Sequence, residues 1–191
     1  AATITNDGIT ISYEGEVVQS DVARMEEMLD NTGIKTVFLN SPGGNAMTGY
    51  QLGYLFKDKE VRLVIGGDAS CFSACAIAFL GGEERTKLGL LGFHVAWTTN
   101  TESMSEGMKQ GQVYGTITAA YFFRMGYSLQ LPYMISMYTD KDTFLMLDVK
   151  DLNMFKLESM EDFIELKDLP PLWASNRIAG PMRRELMIRG M

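Results

Sequence analysis

Ala69-Ser70-Cys71-Phe72-Ser73-Ala74-Cys75-Ala76-Ile77-Ala78-Phe79-Leu80-Gly81-Gly82 is the stretch on which the fold turns. It follows Val61 to Ile65, a short apolar run of buried-strand type, and the turn Gly66-Gly67-Asp68. Ser73 to Leu80 reads as a helix of small residues closed by Gly81-Gly82, and Ala74, Ala76 and Ala78 let neighbouring backbone approach closely. Strand, glycine-containing turn and helix in that order point to parallel strands joined by crossover helices.

The same order repeats upstream. Ile9 to Tyr13 alternates in strand fashion, and Ser20 or Asp21 caps a helix through about Leu29 that Asn31-Thr32-Gly33 stops. Thr36 to Leu39 is a buried-strand run ending at Asn40-Ser41-Pro42-Gly43-Gly44, and a second helix is expected from Ala46 to Phe56. Downstream, Leu88 to Trp97 holds further strand material broken by Gly89 and Gly92. The character then changes. Ser103 to Met125 reads as one long helix opened by a Ser103/Glu106 capping box. A short helix from Leu131 to Met137, with Pro132 in its first turn, and a brief strand from Phe144 to Leu147 follow.

Composition excludes several classes. At 191 residues the chain holds one substantial core, and 46% apolar content spread along its length makes it globular. The net charge of -7 gathers no basic cluster beyond Arg183-Arg184 and Arg189, which argues against a nucleic-acid partner. No apolar run is long enough for a stable membrane span; Ala69 to Gly82 carries serines, cysteines and glycines. The 14 methionines read as core filler rather than a metal site. Cys71 and Cys75 read either as two buried thiols or as a disulfide, and with one distant histidine they form no zinc-ligand spacing.

Three places carry candidate chemistry. Ser73 stands at a helix start, where first-turn amides favour negative charge on or near its oxygen; an ordinary helix cap is the other reading. Gly43 and Gly44 permit backbone amides to approach a ligand and receive an oxyanion, or else simply make a tight strand-to-helix turn. His94, the single histidine, ends an apolar run and supplies the chain's only imidazole for acid–base work near neutral pH. Parallel strand ends that meet on one sheet edge would bring the three together.

Leu39-Asn40-Ser41-Pro42-Gly43-Gly44, Cys71-Phe72-Ser73-Ala74-Cys75, Phe79-Leu80-Gly81-Gly82 and Gly92-Phe93-His94 together resemble the Clp protease proteolytic-subunit family, within the ClpP/crotonase superfamily. The likeness is nearest to its ClpP-like secreted or periplasmic branch. It covers Thr36 to Val95 and extends more weakly to Leu157. The resemblance implies an α/β spiral of repeated β-β-α units with a parallel sheet and a helical insertion at about 103–126. A serine hydrolase domain would occupy residues 1–160 and a C-terminal extension 161–191. It implies Ser73 as nucleophile, His94 as base and oxyanion amides at Gly43, Gly44 and Ala74. Asp142 is the implied orienting acid, with Asp140 as runner-up. In the secreted branch, oxidising surroundings would permit a Cys71–Cys75 bridge that stiffens the nucleophile turn.

The expected function is therefore endopeptidase hydrolysis by a Ser-His-Asp triad, needing no metal or nucleotide cofactor. Its substrate would be a peptide or protein, and the long helix suggests a homo-oligomer. A segment resembling an ATPase-docking element is not found before the first strand, so an ATPase partner is not expected. A periplasmic or secreted location is expected, a cytoplasmic one being the alternative. Two rival functions share the scaffold: a catalytically inactive ClpP-like interaction protein, and a crotonase-type acyl-CoA enzyme. The latter would leave the serine and histidine at these positions unexplained.

Overall fold

A computed structural model describes residues 1–96 and 103–157. The chain forms two compact units, Ala1–Phe93 and His94–Met191. The expected C-terminal extension at 161–191, its boundary and Trp97 lie outside the described residues.

In the first unit, β1 (Thr3–Asn6) pairs antiparallel with β2 (Ile11–Glu14), and β3 (Thr36–Asn40), β4 (Arg62–Ile65) and β6 (Glu84–Lys87) continue in parallel as β2-β3-β4-β6. Their connections are the helices α1 (Asp21–Thr32), α2 (Ala46–Asp58) and α3 (Ala74–Phe79). Parallel neighbours require such crossovers, and the expected α/β class with a parallel sheet is the one present. The sheet carries an apolar layer: Ile11, Val37, Leu63 and Ile65 are wholly buried, as are Met25 of α1 and Phe56 of α2.

The strand expected at Ile9 begins two residues later, at Ile11. The Asp7 carboxylate accepts the Ile9 and Thr10 amides at 2.9 and 2.7 Å and turns the chain there, leaving Ile9 79% exposed. Helix limits follow local chemistry. Asn45 Oδ1 accepts the Thr48 amide at 2.9 Å to open α2, which is worth about 1 kcal/mol. Gly33, at φ 68°, closes α1 by donating its amide to the Leu29 carbonyl.

A second parallel pair, β5 (Ser70–Phe72) with β7 (Leu90–Phe93), lies beside the end of β3. Ser41 makes the join: its amide donates to Ser70 O at 2.7 Å, and its carbonyl accepts the Phe72 amide at 3.0 Å. Helices α2 and α3 meet through glycines. A β-carbon on Gly49 would stand 2.5 Å from Ala74 O, and one on Gly81 would stand 2.0 Å from Gly53 O. The alanines of α3, with Gly81 just beyond it, meet the requirement of that approach.

In the second unit, α4 (Met104–Arg124) is the long helix expected from the sequence, and Ser103 Oγ accepts the Glu106 amide at its start. It buries only Tyr121 and Phe122, at its C-terminal end. Next come α5 (Gln130–Tyr138), β8 (Leu145–Met146) and α6 (Val149–Asn153). The Ser128 amide donates to Phe155 O and the Leu157 amide to Gly126 O, so the described chain folds back on the end of α4. Among the described residues no helix is long and apolar enough to cross a membrane.

Candidate active site

Ser73, Gly43, Gly44, Ala74, Cys71 and Cys75 belong to the first unit, and His94, Asp140 and Asp142 to the second. Ser73 is the residue between β5 and α3. Its backbone has φ 56° and ψ -120°, a conformation that L-residues with a side chain avoid at a cost of about 1–3 kcal/mol. The surroundings hold it there: its amide donates to Gly92 O at 2.9 Å, and its carbonyl accepts the Ile77 amide at 3.0 Å. A serine that merely capped α3 would adopt extended backbone and accept an N2 or N3 amide with its hydroxyl. Ser73 does neither. The ordinary-cap reading, open in the sequence, is therefore not the geometry found.

Cys71 and Cys75 are joined by a disulfide across this turn, with Cα atoms 5.1 Å apart. Both are buried, one on the last strand before Ser73 and the other in the first turn of α3. The bridge thus ties together the two elements whose junction carries the strained serine.

The glycine turn lies directly against that junction. Gly43 has φ 98°, and a β-carbon on it would stand 2.6 Å from Ser73 Cβ, 2.7 Å from Phe72 O and 3.2 Å from Ala74 N. Only glycine fits. The two glycine amides differ in what they do. Gly43 N–H donates to the buried Ser41 Oγ at 3.1 Å. Gly44 is bridged to Val17 in parallel fashion, with Val17 N–H donating to Gly43 O at 2.8 Å and Asn45 N–H to Val17 O at 2.9 Å. Those bonds flank Gly44, so its own N–H points away from Val17. Ala74 opens α3, where an amide has no acceptor within the helix.

The Val17 support has its own anchor. The buried Asp21 carboxylate accepts the Val18 amide at 2.9 Å and the Tyr13 hydroxyl at 2.8 Å, and Arg24 donates to it at 3.0 Å. Loss of hydration and then the carboxylate bond push the Tyr13 phenol far above the ordinary tyrosine range. Composition and spacing carried no signal for this network.

In the second unit, His94 Nδ1 lies 3.2 Å from the main-chain oxygen of Asp140. A carbonyl only accepts, so Nδ1 carries a proton here, and in the neutral ring the lone pair then belongs to Nε2, the form a general base requires. The ring packs on Phe144 with centroids 4.7 Å apart. Beside it, Val95 N–H donates to Thr139 Oγ1 at 2.8 Å, and that hydroxyl donates to Ile135 O at 2.6 Å.

Both candidate acids lie between α5 and β8. Asp142 directs its carboxylate to Lys141 at 2.5 Å and is 74% exposed. Asp140 turns its carboxylate back onto the Asp142 and Thr143 amides at 2.8 and 2.9 Å, and these bonds hold its carboxyl below the usual range. The acceptor at His94 is main chain, which residue types do not announce.

No protein-family model matches this chain, and no curated protein matches it. Solved structures do. A ClpP1 mutant from Listeria monocytogenes superposes with TM-score 0.54 at 17% identity, over 82% of this chain and 95% of that one. ClpP1 from the same organism gives 0.52 at 20% identity, over 78% and 88%. A mutant of the 1510-N membrane-bound stomatin-specific protease, in complex with a substrate peptide, gives 0.53 at 11% identity over 81% and 76%. The chain has a ClpP-like fold. Within that fold, the strained junction at Ser73 and the Gly43-Gly44 turn lie directly against each other in the first unit.

Proposed function

We propose that this ClpP-like chain is a serine peptidase that cleaves peptide bonds through an acyl-enzyme. The observation carrying the reading is the Ser73 backbone, held at φ 56° between a strand and a helix with Gly43 pressed against it. Strain of that kind persists where the surroundings impose it, and it turns the hydroxyl out of the capping position. His94 is the proposed base. It follows β7, the strand whose Gly92 carbonyl receives the Ser73 amide, and its Nδ1–H form leaves Nε2 to accept a proton.

In the proposed reaction Ser73 Oγ attacks the carbonyl carbon as its proton passes to His94 Nε2. The oxyanion is received by Ala74 N–H and by the glycine turn. There Gly44 presents the amide not engaged by Ser41, and Gly43 contributes the close approach. The imidazolium then protonates the leaving amine as the C–N bond breaks. Water, deprotonated by the same nitrogen, hydrolyses the ester and restores Ser73. The chemistry requires no metal or nucleotide.

The buried Cys71–Cys75 disulfide supports an oxidising compartment, periplasmic or extracellular, as the working location. Assembly of several copies belongs to the same proposal, since α4 leaves Met104, Met108 and Val113 exposed. Light scattering after size exclusion measures it.

A fluorophosphonate probe tests the chemistry. Labelling mapped to Ser73 by mass spectrometry, lost in both Ser73→Ala and His94→Ala, is expected. A folded wild-type chain that takes up no label, or takes it elsewhere, overturns the proposal.

A further inference from the structure

We infer that the group orienting His94 is the main-chain carbonyl of Asp140, positioned by that residue's own carboxylate, and that the Asp142 carboxylate takes no part. The inference deepens the serine-peptidase reading and rests on it for its catalytic meaning. Its structural basis lies within the second unit. His94 Nδ1 meets Asp140 O at 3.2 Å. The Asp142 carboxylate is committed to Lys141 and largely exposed.

The Asp140 carbonyl does not stand in a helix or a strand, so something must hold its peptide plane. Two side chains do so. On the C-terminal side, Asp140 Oδ1 accepts the amides of Asp142 and Thr143 and closes a tight turn immediately after the carbonyl. On the N-terminal side, Thr139 Oγ1 binds both the end of α5 and the Val95 amide, clamping the residue before Asp140 to the residue after His94. The imidazole thus meets the Asp140 carbonyl and the Phe144 face, and the Thr139 link holds the backbone beside it.

The arrangement has a consequence that an acid triad would not share. Asp140 serves as a hydrogen-bond acceptor to two amides, and an amide oxygen performs that task without charge. Asp140→Asn should keep the turn, the carbonyl and the histidine tautomer. Asp140→Ala should lose the turn and let the carbonyl drift. Asp140 is therefore a positioning residue, acting through its own main chain.

The single histidine makes the test direct. Ring-15N histidine labelling of the intact chain yields one pair of imidazole resonances, read alongside the fluorophosphonate labelling rate and the thermal midpoint. Wild type, Asp142→Ala and Asp140→Asn are expected to show the Nδ1–H tautomer, with labelling rates within about twofold of one another. Asp140→Ala should lose the single tautomer, and its labelling rate should fall on the order of a hundredfold. Its thermal midpoint should stay near that of wild type. Loss of the Nδ1–H signal in Asp142→Ala overturns the inference, as does equal damage by Asp140→Asn and Asp140→Ala. A wild-type chain with the expected tautomer but no labelling would sink the peptidase reading and leave the assignment of the carbonyl standing.

Discussion

Gly43 lies so close to Ser73 that a β-carbon on the glycine would stand 2.6 Å from the serine's own β-carbon. This contact couples the glycine turn to the proposed nucleophile by sterics alone. Gly43→Ala should cut fluorophosphonate labelling on the order of a hundredfold and cost about 1–3 kcal/mol. Gly33→Ala is the control. It has a similar φ of 68° but no atom within 4 Å of the added carbon, so it should cost stability through backbone strain and leave labelling intact. Equal labelling by the two variants would remove the steric argument.

The strain at Ser73 predicts a trade between stability and chemistry. Ser73→Ala and Ser73→Gly should both abolish labelling. Only the glycine variant relaxes φ 56°, which recovers about 1–3 kcal/mol against an entropy cost of about 0.5–1 kcal/mol. Calorimetry should place Ser73→Gly a few degrees above Ser73→Ala, at about 2–4 °C per kcal/mol. Coincident midpoints would mean that the turn carries no strain.

The Cys71–Cys75 disulfide spans the same turn, and its effect should exceed its small loop. Closing a loop this short constrains the unfolded chain by about 2 kcal/mol. The double variant Cys71→Ala/Cys75→Ala should lose about that much in a urea melt, and its labelling rate should fall more than tenfold at temperatures where it remains folded. With both sulfurs buried, a water-soluble phosphine should reduce the wild-type bridge only under partial denaturation. Rapid reduction of the native chain, or full labelling by the double variant, would contradict this.

Tyr13 predicts an alkaline limit. Its phenol is raised in the folded chain, first by burial and then by its bond to Asp21. The folded state therefore holds its proton at pH values where the unfolded chain has released it. Stability from this group is fully present below pH about 10 and declines as pH rises above it. Tyr13→Phe should lower stability at pH 8 and flatten the decline between pH 9.5 and 11, as read from urea midpoints. Parallel pH curves for the two proteins would contradict the assignment.

Much of the first unit is legible in the sequence because its signals are long or chemically plain. The apolar runs at Val37 and Leu63 are buried strands, and Gly33 ends a helix where glycine is expected. The short elements are not legible. Strand β6 reads Glu84-Arg85-Thr86-Lys87, charged throughout, and is a strand because β4 offers it a free edge. Strand β5 is three residues long and exists through its bonds to Ser41 and β7. Ile9 has the right alternation, but the Asp7 side chain captures its amide first. In the candidate site, Ser73 and His94 stand out by residue type, whereas the acceptor behind His94 does not.

The sequence by itself determined the α/β class, the crossover order and the side chains offered to the candidate site. Periodicity, glycine placement and a single imidazole are local properties of the chain. Only the tertiary structure decided which backbone groups serve them. It placed Gly43 against Ser73, gave the Gly43 amide to Ser41, and set the Asp140 carbonyl at His94 Nδ1. Every residue carries the same carbonyl and nearly every one the same amide, so only their positions in space distinguish them.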